Sequence, residues 1–234
     1  GSIVSLAQNN YSQTYPHPGW VEQDPFDLSK TQITVAQQAL RKANLNPADV
    51  AALGITNQRE STVVWDRASG QPIYPAIIWQ DRRTAEMCEQ WKADGIEDFV
   101  HQRTGLHLDP YFSASKLRWI LDHVPNAQAQ AERGELAFGT LDSWLIWSLP
   151  KGQYHVTDAS NASRSLLFNL HTGTWDHELL QLFRIPPAML PTVVESSGTI
   201  AEVTDPEELA GIAIAGIAGD QHAGLFGQTC FDVG

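Results

Sequence analysis

Gly216-Ile217-Ala218-Gly219-Asp220-Gln221-His222-Ala223-Gly224 is an apolar run that breaks at a glycine and then presents a carboxylate. Ile212 to Ala218, leading into it, form the continuous apolar segment expected of a strand buried on both faces of a parallel sheet. Ala223 to Phe226 behind it look like the first turn of a helix. Asp220 therefore sits at a strand-to-helix corner. Open α/β sheets bind ligands beyond the carboxyl ends of their strands, which makes an acid at such a corner a candidate base facing a pocket. Asp is also among the best residues for satisfying the free N–H groups of a helix start, so this segment alone supports a cap as well as a base.

The surrounding chain has 234 residues, 42% hydrophobic and 18% charged, which gives enough apolar content for one large domain or two small ones. Its formal net charge is -12 and its Lys and Arg residues are scattered. That argues against a nucleic acid or an anionic membrane surface and leaves a small molecule as the expected partner. Cys88 and Cys230 are the only cysteines and form no Cys-x-x-Cys pair, which points to a reducing compartment and a cytoplasmic location. No apolar stretch approaches the roughly 20 residues of a membrane span, and Gly1-Ser2-Ile3-Val4 carries no signal-peptide pattern.

Strands are expected over Ile3–Ala7, Ala51–Thr56 and Thr62–Trp65, with a turn at Asp66–Gln71 leading into an extended run Tyr74–Gln80. Asp24 as cap and Pro25 at the first helical position predict a helix to about Ala43. Further helices are expected at Arg83–Ala93, Ile96–Arg103, Ser113–His123, Ala127–Gly134 and Leu141–Leu149, with a short strand at Ala137-Phe138. Strands interleaved with long helices indicate a layered α/β fold.

Thr56-Asn57-Gln58-Arg59-Glu60-Ser61-Thr62 links two of these strands and sets a cation beside an anion on a turn. A polyol needs donors and acceptors together, and Arg59 with Glu60 supplies both; the alternative is an ordinary solvated hairpin. Trp79 ends an apolar run, where an indole can pack on a carbon chain or simply fill core. Tyr111 precedes the Ser113 helix, with its hydroxyl facing a cleft or its ring capping the core. Arg82 and Arg83 are expected on the surface, because the positive end of a helix dipole disfavours them as ligands there. The eight His residues show no metal-ligand spacing, and there is no Gly-x-Ser-x-Gly elbow, Walker A loop or dinucleotide fingerprint.

Several blocks resemble the FGGY carbohydrate kinase family, and the likeness runs from Ile3 to Gly234. They are Pro18-Gly19-Trp20-Val21-Glu22-Gln23-Asp24-Pro25, Gly54 to Glu60, Trp79 to Thr84, Tyr111 to His123, Gly139 to Trp147, His155 to Arg164 and Gly216 to Gln221. Within that family, Arg-Glu after Thr-Asn-Gln is similar to the branch acting on glycerol rather than on pentuloses. The resemblance implies an RNase H-like mixed sheet with flanking helices, of the actin-like ATPase superfamily. It implies that residues 3–234 are a partial N-terminal, glycerol-binding domain, with the first strands missing and the C-terminal nucleotide-binding domain absent. The activity implied is ATP-dependent phosphorylation of glycerol to sn-glycerol 3-phosphate. Asp220 would be the general base; Arg59, Glu60, Tyr111, Asp220 and Gln221 would bind hydroxyls, and Trp79 would pack on the carbons. ATP and Mg2+ are implied for the full-length enzyme. The family's Asp-Gln-Gly-Thr-Thr-Ser phosphate hairpin does not occur in this sequence, so no cofactor-binding residue and no metal ligand are expected here, and the 234 residues alone are expected to be inactive. Unpaired sheet edges would favour a homo-oligomer or edge-mediated self-association. The alternatives are a related FGGY kinase for another polyol and a non-catalytic polyol-binding or self-associating module.

Overall fold

In the computed structural model, residues 2–231 are described; Gly1 and the terminal Asp232-Val233-Gly234, which belong to the stretch carrying the family likeness, lie outside the described residues. β1 (Glu22–Gln23) leads into α1 (Pro25–Ala43), which starts where Asp24 accepts the Phe26 N–H and Pro25 takes the first helical position. Asn44, in the left-handed region, closes it by donating its N–H to the Arg41 and Leu40 carbonyls. Then come β2 (Leu53–Asn57), β3 (Val63–Asp66), β4 (Ala76–Ile77), α2 (Ala85–Ala93), α3 (Glu97–Thr104), α4 (Ser113–His123) and α5 (Ala127–Glu132). They are followed by β5 (Leu136–Gly139), α6 (Leu141–Ser148), β6 (Val156–Asp158), α7 (Ala159–Ala162), β7 (Phe168–Asn169), β8 (Thr174–Trp175) and α8 (His177–Leu182). β9 (Thr192–Val194), β10 (Ser197–Glu202), β11 (Ala213–Gly219) and α9 (Asp220–Gly227) complete the chain.

The largest sheet has the order β10-β11-β2, with β11 antiparallel to β10 and parallel to β2. Ile217 lies opposite Ile55 and Gly219 opposite Asn57, so β11 and β2 end side by side at the same edge. β3 pairs antiparallel with β5, and β6 parallel with β9. The layered α/β class expected from the sequence is the fold observed.

The local pairings differ from expectation in three places. The strands near Ala51–Thr56 and Thr62–Trp65 exist but are not partners, because β2 turns to β11 and β3 to β5, and the loop between them is buried. Of the run Tyr74–Gln80 only Ala76–Ile77 is strand, although the turn at Asp66–Gln71 forms, with Gly70 N–H on the Asp66 carbonyl and Ile73 N–H on that of Val64. Ile3–Ala7 forms no strand: it finds no ladder partner among the described residues, and Ile3, Val4 and Leu6 are exposed.

Three apolar clusters hold the layers together. One joins α4 (Ala114, Leu117, Ile120) to β3, β5 and α8 through Val64, Phe138 and Leu179. A second packs Ile55, Ile214 and Ile217 against α6 and the half-buried Ile33, Ala36 and Leu40 of α1. A third surrounds Trp65 and Trp144, whose rings meet edge to face at 5.3 Å. Each fully buried aliphatic side chain contributes about 1.5–3 kcal/mol. The second cluster fixes the register of β2 against β11, and that register sets the site.

Candidate active site at the ends of two parallel strands

β2 delivers Arg59 two residues past its end, and β11 delivers Asp220 one residue past its end. Because the strands are parallel neighbours, the two side chains meet, with Arg59 Nε 3.2 Å from Asp220 Oδ1. Gly219 makes the meeting possible. A Cβ at that position would stand 2.0 Å from Arg59 Cδ and 2.5 Å from Cγ, so only a glycine lets the arginine stem cross the strand end. The cap position of α9 is held by Gly219, which has no side chain, and Asp220 is the first helical residue. The N-cap alternative for Asp220 is thereby removed, and its side chain is 54% exposed. Oδ1 takes both the Arg59 contact and the Gln221 N–H at 2.9 Å, while Oδ2 has no partner among the described residues.

Arg59 is itself buried, yet its guanidinium makes no hydrogen bond to a described residue; Nε is fully enclosed and is not aimed along the ion-pair contact. Next to it Glu60 is also buried, its Oε1 accepting from Arg164 Nε at 2.8 Å and lying 3.9 Å from Arg59 Nη2. The alternative of a solvated hairpin for this loop is thereby removed. A buried carboxylate flanked by two guanidiniums is tolerable, whereas either charge alone would not be.

Tyr111 and Trp79 form the apolar wall. Their rings meet edge to face at 6.0 Å, and Trp79 is 37% exposed, so it is not a core residue. Burial first, and then the nearby Glu60 carboxylate, raise the Tyr111 phenol above its ordinary value. Gln221 follows Asp220 on the exposed face of α9, and its side chain hydrogen-bonds none of the other five residues. Of the six residues expected from the sequence, the structure joins Arg59, Glu60 and Asp220 by ionic contacts, sets Tyr111 and Trp79 beside each other, and leaves Gln221 adjacent only along the chain.

Some members of the site were not expected. Arg164, whose guanidinium also lies 4.9 Å over the Phe112 ring, holds Glu60. Lys116 is fully buried and donates to the Glu60 carbonyl at 2.6 Å and the Tyr111 carbonyl at 2.7 Å. Burial draws its ammonium down to about 7, against the pull of Asp81, Glu60 and Asp109. Asp158 accepts from Ser160 Oγ and Ser196 Oγ, each at 2.7 Å, and Ser160 Oγ in turn accepts the Gly219 N–H at 2.8 Å. Arg83, expected on the surface, is instead sealed in the interior, bonded to Glu22, Asp81 and the Tyr74 hydroxyl and lying 3.9 Å over Trp20. The aromatic box and two carboxylates outweigh the helix dipole that would repel it. Arg82 is exposed and pairs with Asp109, as expected of a surface residue.

A polar loop and an acid meet at parallel strand ends beside an aromatic wall on an α/β scaffold, and the chain belongs to the FGGY family of carbohydrate kinases, whose N-terminal domain matches residues 1–227. More particularly, it is 56% identical over 235 residues to a glycerol kinase of Ralstonia pickettii, with all of this chain and 47% of that protein covered. A glycerol kinase of Trichlorobacter lovleyi is 58% identical over 230 residues, covering 98% of this chain and 46% of that protein. The chain thus spans about half the length of the curated relatives it matches. Among solved structures, Plasmodium falciparum glycerol kinase with ADP superposes with a TM-score of 0.89 at 31% identity, over 96% of this chain and 45% of that one. A xylulose kinase from Lactobacillus acidophilus shares the fold, with a TM-score of 0.84 at 21% identity over 94% of this chain and 44% of that one. The fold is therefore the RNase H-like one of the FGGY kinases' N-terminal domain. Among the described residues no helix is long and apolar enough to cross a membrane.

Proposed function

We propose that this chain is the acceptor-binding domain of an ATP-dependent glycerol kinase, with residues 3–234 as its unit and Asp220, Arg59, Glu60, Trp79, Tyr111 and Gln221 as its polyol site. One observation carries the reading: among the described residues the buried Arg59 guanidinium has no hydrogen-bond partner, and it lies beside Asp220, whose Oδ2 has none either. A buried donor left unsatisfied costs about 1–3 kcal/mol, more when charged, so a partner with hydroxyls removes a penalty there. A three-carbon polyol supplies alternating donors and acceptors on a short apolar stem. Its hydroxyls suit Arg59, Glu60 and Gln221, and its carbons suit the Trp79–Tyr111 wall. Asp220, held by Arg59 through Oδ1, keeps Oδ2 to orient the terminal hydroxyl and take its proton as the oxygen attacks phosphorus. Phosphoryl transfer asks a protein chiefly for such positioning and charge placement.

ATP, by the family and by the ADP named with the Plasmodium falciparum structure, supplies the phosphoryl group when bound. Mg2+ rests on the family resemblance. The six residues of the polyol site serve the acceptor side of the reaction. A cytoplasmic location, consistent with the unpaired Cys88 and Cys230, and self-association through the open edge of β2 complete the reading. Calorimetric titration of the chain with glycerol tests it: saturable binding, weakened at least tenfold by Arg59→Ala, is expected. Absence of glycerol binding, or binding indifferent to Arg59→Ala, would overturn it.

A further inference from the structure

The pocket has two sides that come from separate parts of the chain. Glu60 lies on the loop after β2, with Arg59 and Asp220, and Tyr111 lies on the segment entering α4, with Trp79. One side chain touches both: Lys116, in the first turns of α4, donates to the backbone carbonyl of Glu60 at 2.6 Å and to that of Tyr111 at 2.7 Å. It is completely enclosed, and among the described residues it pairs with no carboxylate within 4.0 Å. An ammonium taken from water without an ionic partner is expensive, and packing alone is served as well by a methionine at the same place. What a methionine lacks is the ability to pin two carbonyls on two different loops at one distance.

We propose that Lys116 is a positioning residue that fixes the separation between the Glu60 loop and the Tyr111–Trp79 wall, and through it the length of polyol the pocket selects. The inference rests on the polyol reading above, and it adds that selectivity for three carbons over four is set by a buried amine that never touches the substrate. Tyr111 N–H and Arg82 both engage Asp109, and Ser115 Oγ meets Thr84 Oγ1 at 2.8 Å, so the α4 side of the clamp is anchored independently of Lys116. Loss of the lysine therefore frees the Glu60 loop to move against an otherwise held wall.

The test titrates the chain with glycerol and with the four-carbon erythritol by calorimetry, for wild type, Lys116→Met and Lys116→Arg, with thermal unfolding recorded alongside. Lys116→Met is expected to weaken glycerol about tenfold or more and to shrink the preference for glycerol over erythritol while the protein remains folded. Equal affinity and unchanged preference in a folded Lys116→Met overturns the clamp and leaves the polyol reading standing. Absence of binding in wild type overturns both. If Lys116→Met does not fold, Lys116→Arg decides: it keeps donors for both carbonyls at a longer reach, so a changed glycerol-to-erythritol ratio supports the clamp. An unchanged ratio, or failure of both variants to fold, assigns Lys116 to the core and overturns it.

Discussion

At the scale of single residues, the adjacency of Arg59 and Glu60 and the glycine-then-acid corner at Asp220 were legible because their chemistry is written in local order. Lys116, Arg164 and Arg83 were not. A cation on an amphipathic helix or at a helix start has the same local signature whether it meets solvent or a cluster of carbonyls and rings, and only the tertiary packing decides. Gly219 is visible as a glycine, but nothing in the sequence says that the Arg59 stem needs its space. Two substitutions follow. Asp220→Asn keeps the size and the Arg59 neighbour but removes the base, so kcat in the full-length enzyme should fall by about 10²–10⁴-fold with KM for glycerol little changed. Coupled ADP release measures this, and a kcat within a few-fold of wild type would show that Asp220 is not the proton acceptor. Gly219→Ala should displace Arg59 and weaken glycerol binding in calorimetry as much as Arg59→Ala does; a variant binding normally would mean that the two side chains need not meet.

At the scale of elements, the start of α1 was the most readable part, since Asp24-Pro25 follows local capping rules whatever the rest of the chain does; α4 also begins at Ser113 as expected, but its cap position is Phe112, which makes no side-chain cap. Strand partners were not readable. β2 and β3 are neighbours in sequence, which usually means a pair, but the chain between them is spent on the buried Arg59–Glu60 loop and each strand pairs with a distant one. The corner carrying Asp220 is likewise held from afar. Asp158 caps α7 through the Asn161 N–H at 3.0 Å and gathers Ser160 and Ser196, and Ser160 holds the Gly219 N–H. Asp158→Ala should therefore cost about 2–3 kcal/mol in urea unfolding with an unchanged slope, since it leaves a cap and several buried donors unmet. Ser160→Ala, which removes the link to Gly219 and one of the donors to Asp158 but leaves the α7 cap and Ser196 in place, should cost less, about 1 kcal/mol, while weakening glycerol binding. Equal losses of stability from the two would place the link in the core rather than at the site.

At the scale of the whole molecule, the α/β class came from the interleaving of strand and helix patterns. That β2 has no partner on its outer edge among the described residues is, by contrast, a property of pairing, and the strand borders an apolar groove lined by Leu6, Ile33, Ala36, Leu40 and Leu53. Light scattering should accordingly show association that grows with concentration, and a monomer at all concentrations would refute edge-mediated assembly. In the mildly acid range, below the window in which the buried Lys116 titrates, two buried groups work in opposition on stability. Burial depresses His155 from 6.5 to about 4, so between those values the unfolded chain takes up a proton the folded one refuses, and stability falls as pH falls. Burial raises Asp142 from 3.8 to about 6 even though Thr140 and Thr157 donate to it, so the folded chain keeps a proton that the unfolded one releases. Its contribution is full below about 3.8 and is lost as pH rises through about 6. The two slopes offset each other over the same window, and the native protein should show a shallow pH profile there. Asp142→Asn removes one slope and leaves the other, so its urea midpoint should climb more steeply than that of wild type from pH 4 to 6.5. Parallel profiles for the two proteins would mean that Asp142 titrates in the folded chain as it does in the unfolded one, and that the polar network around it leaves its carboxylate charged.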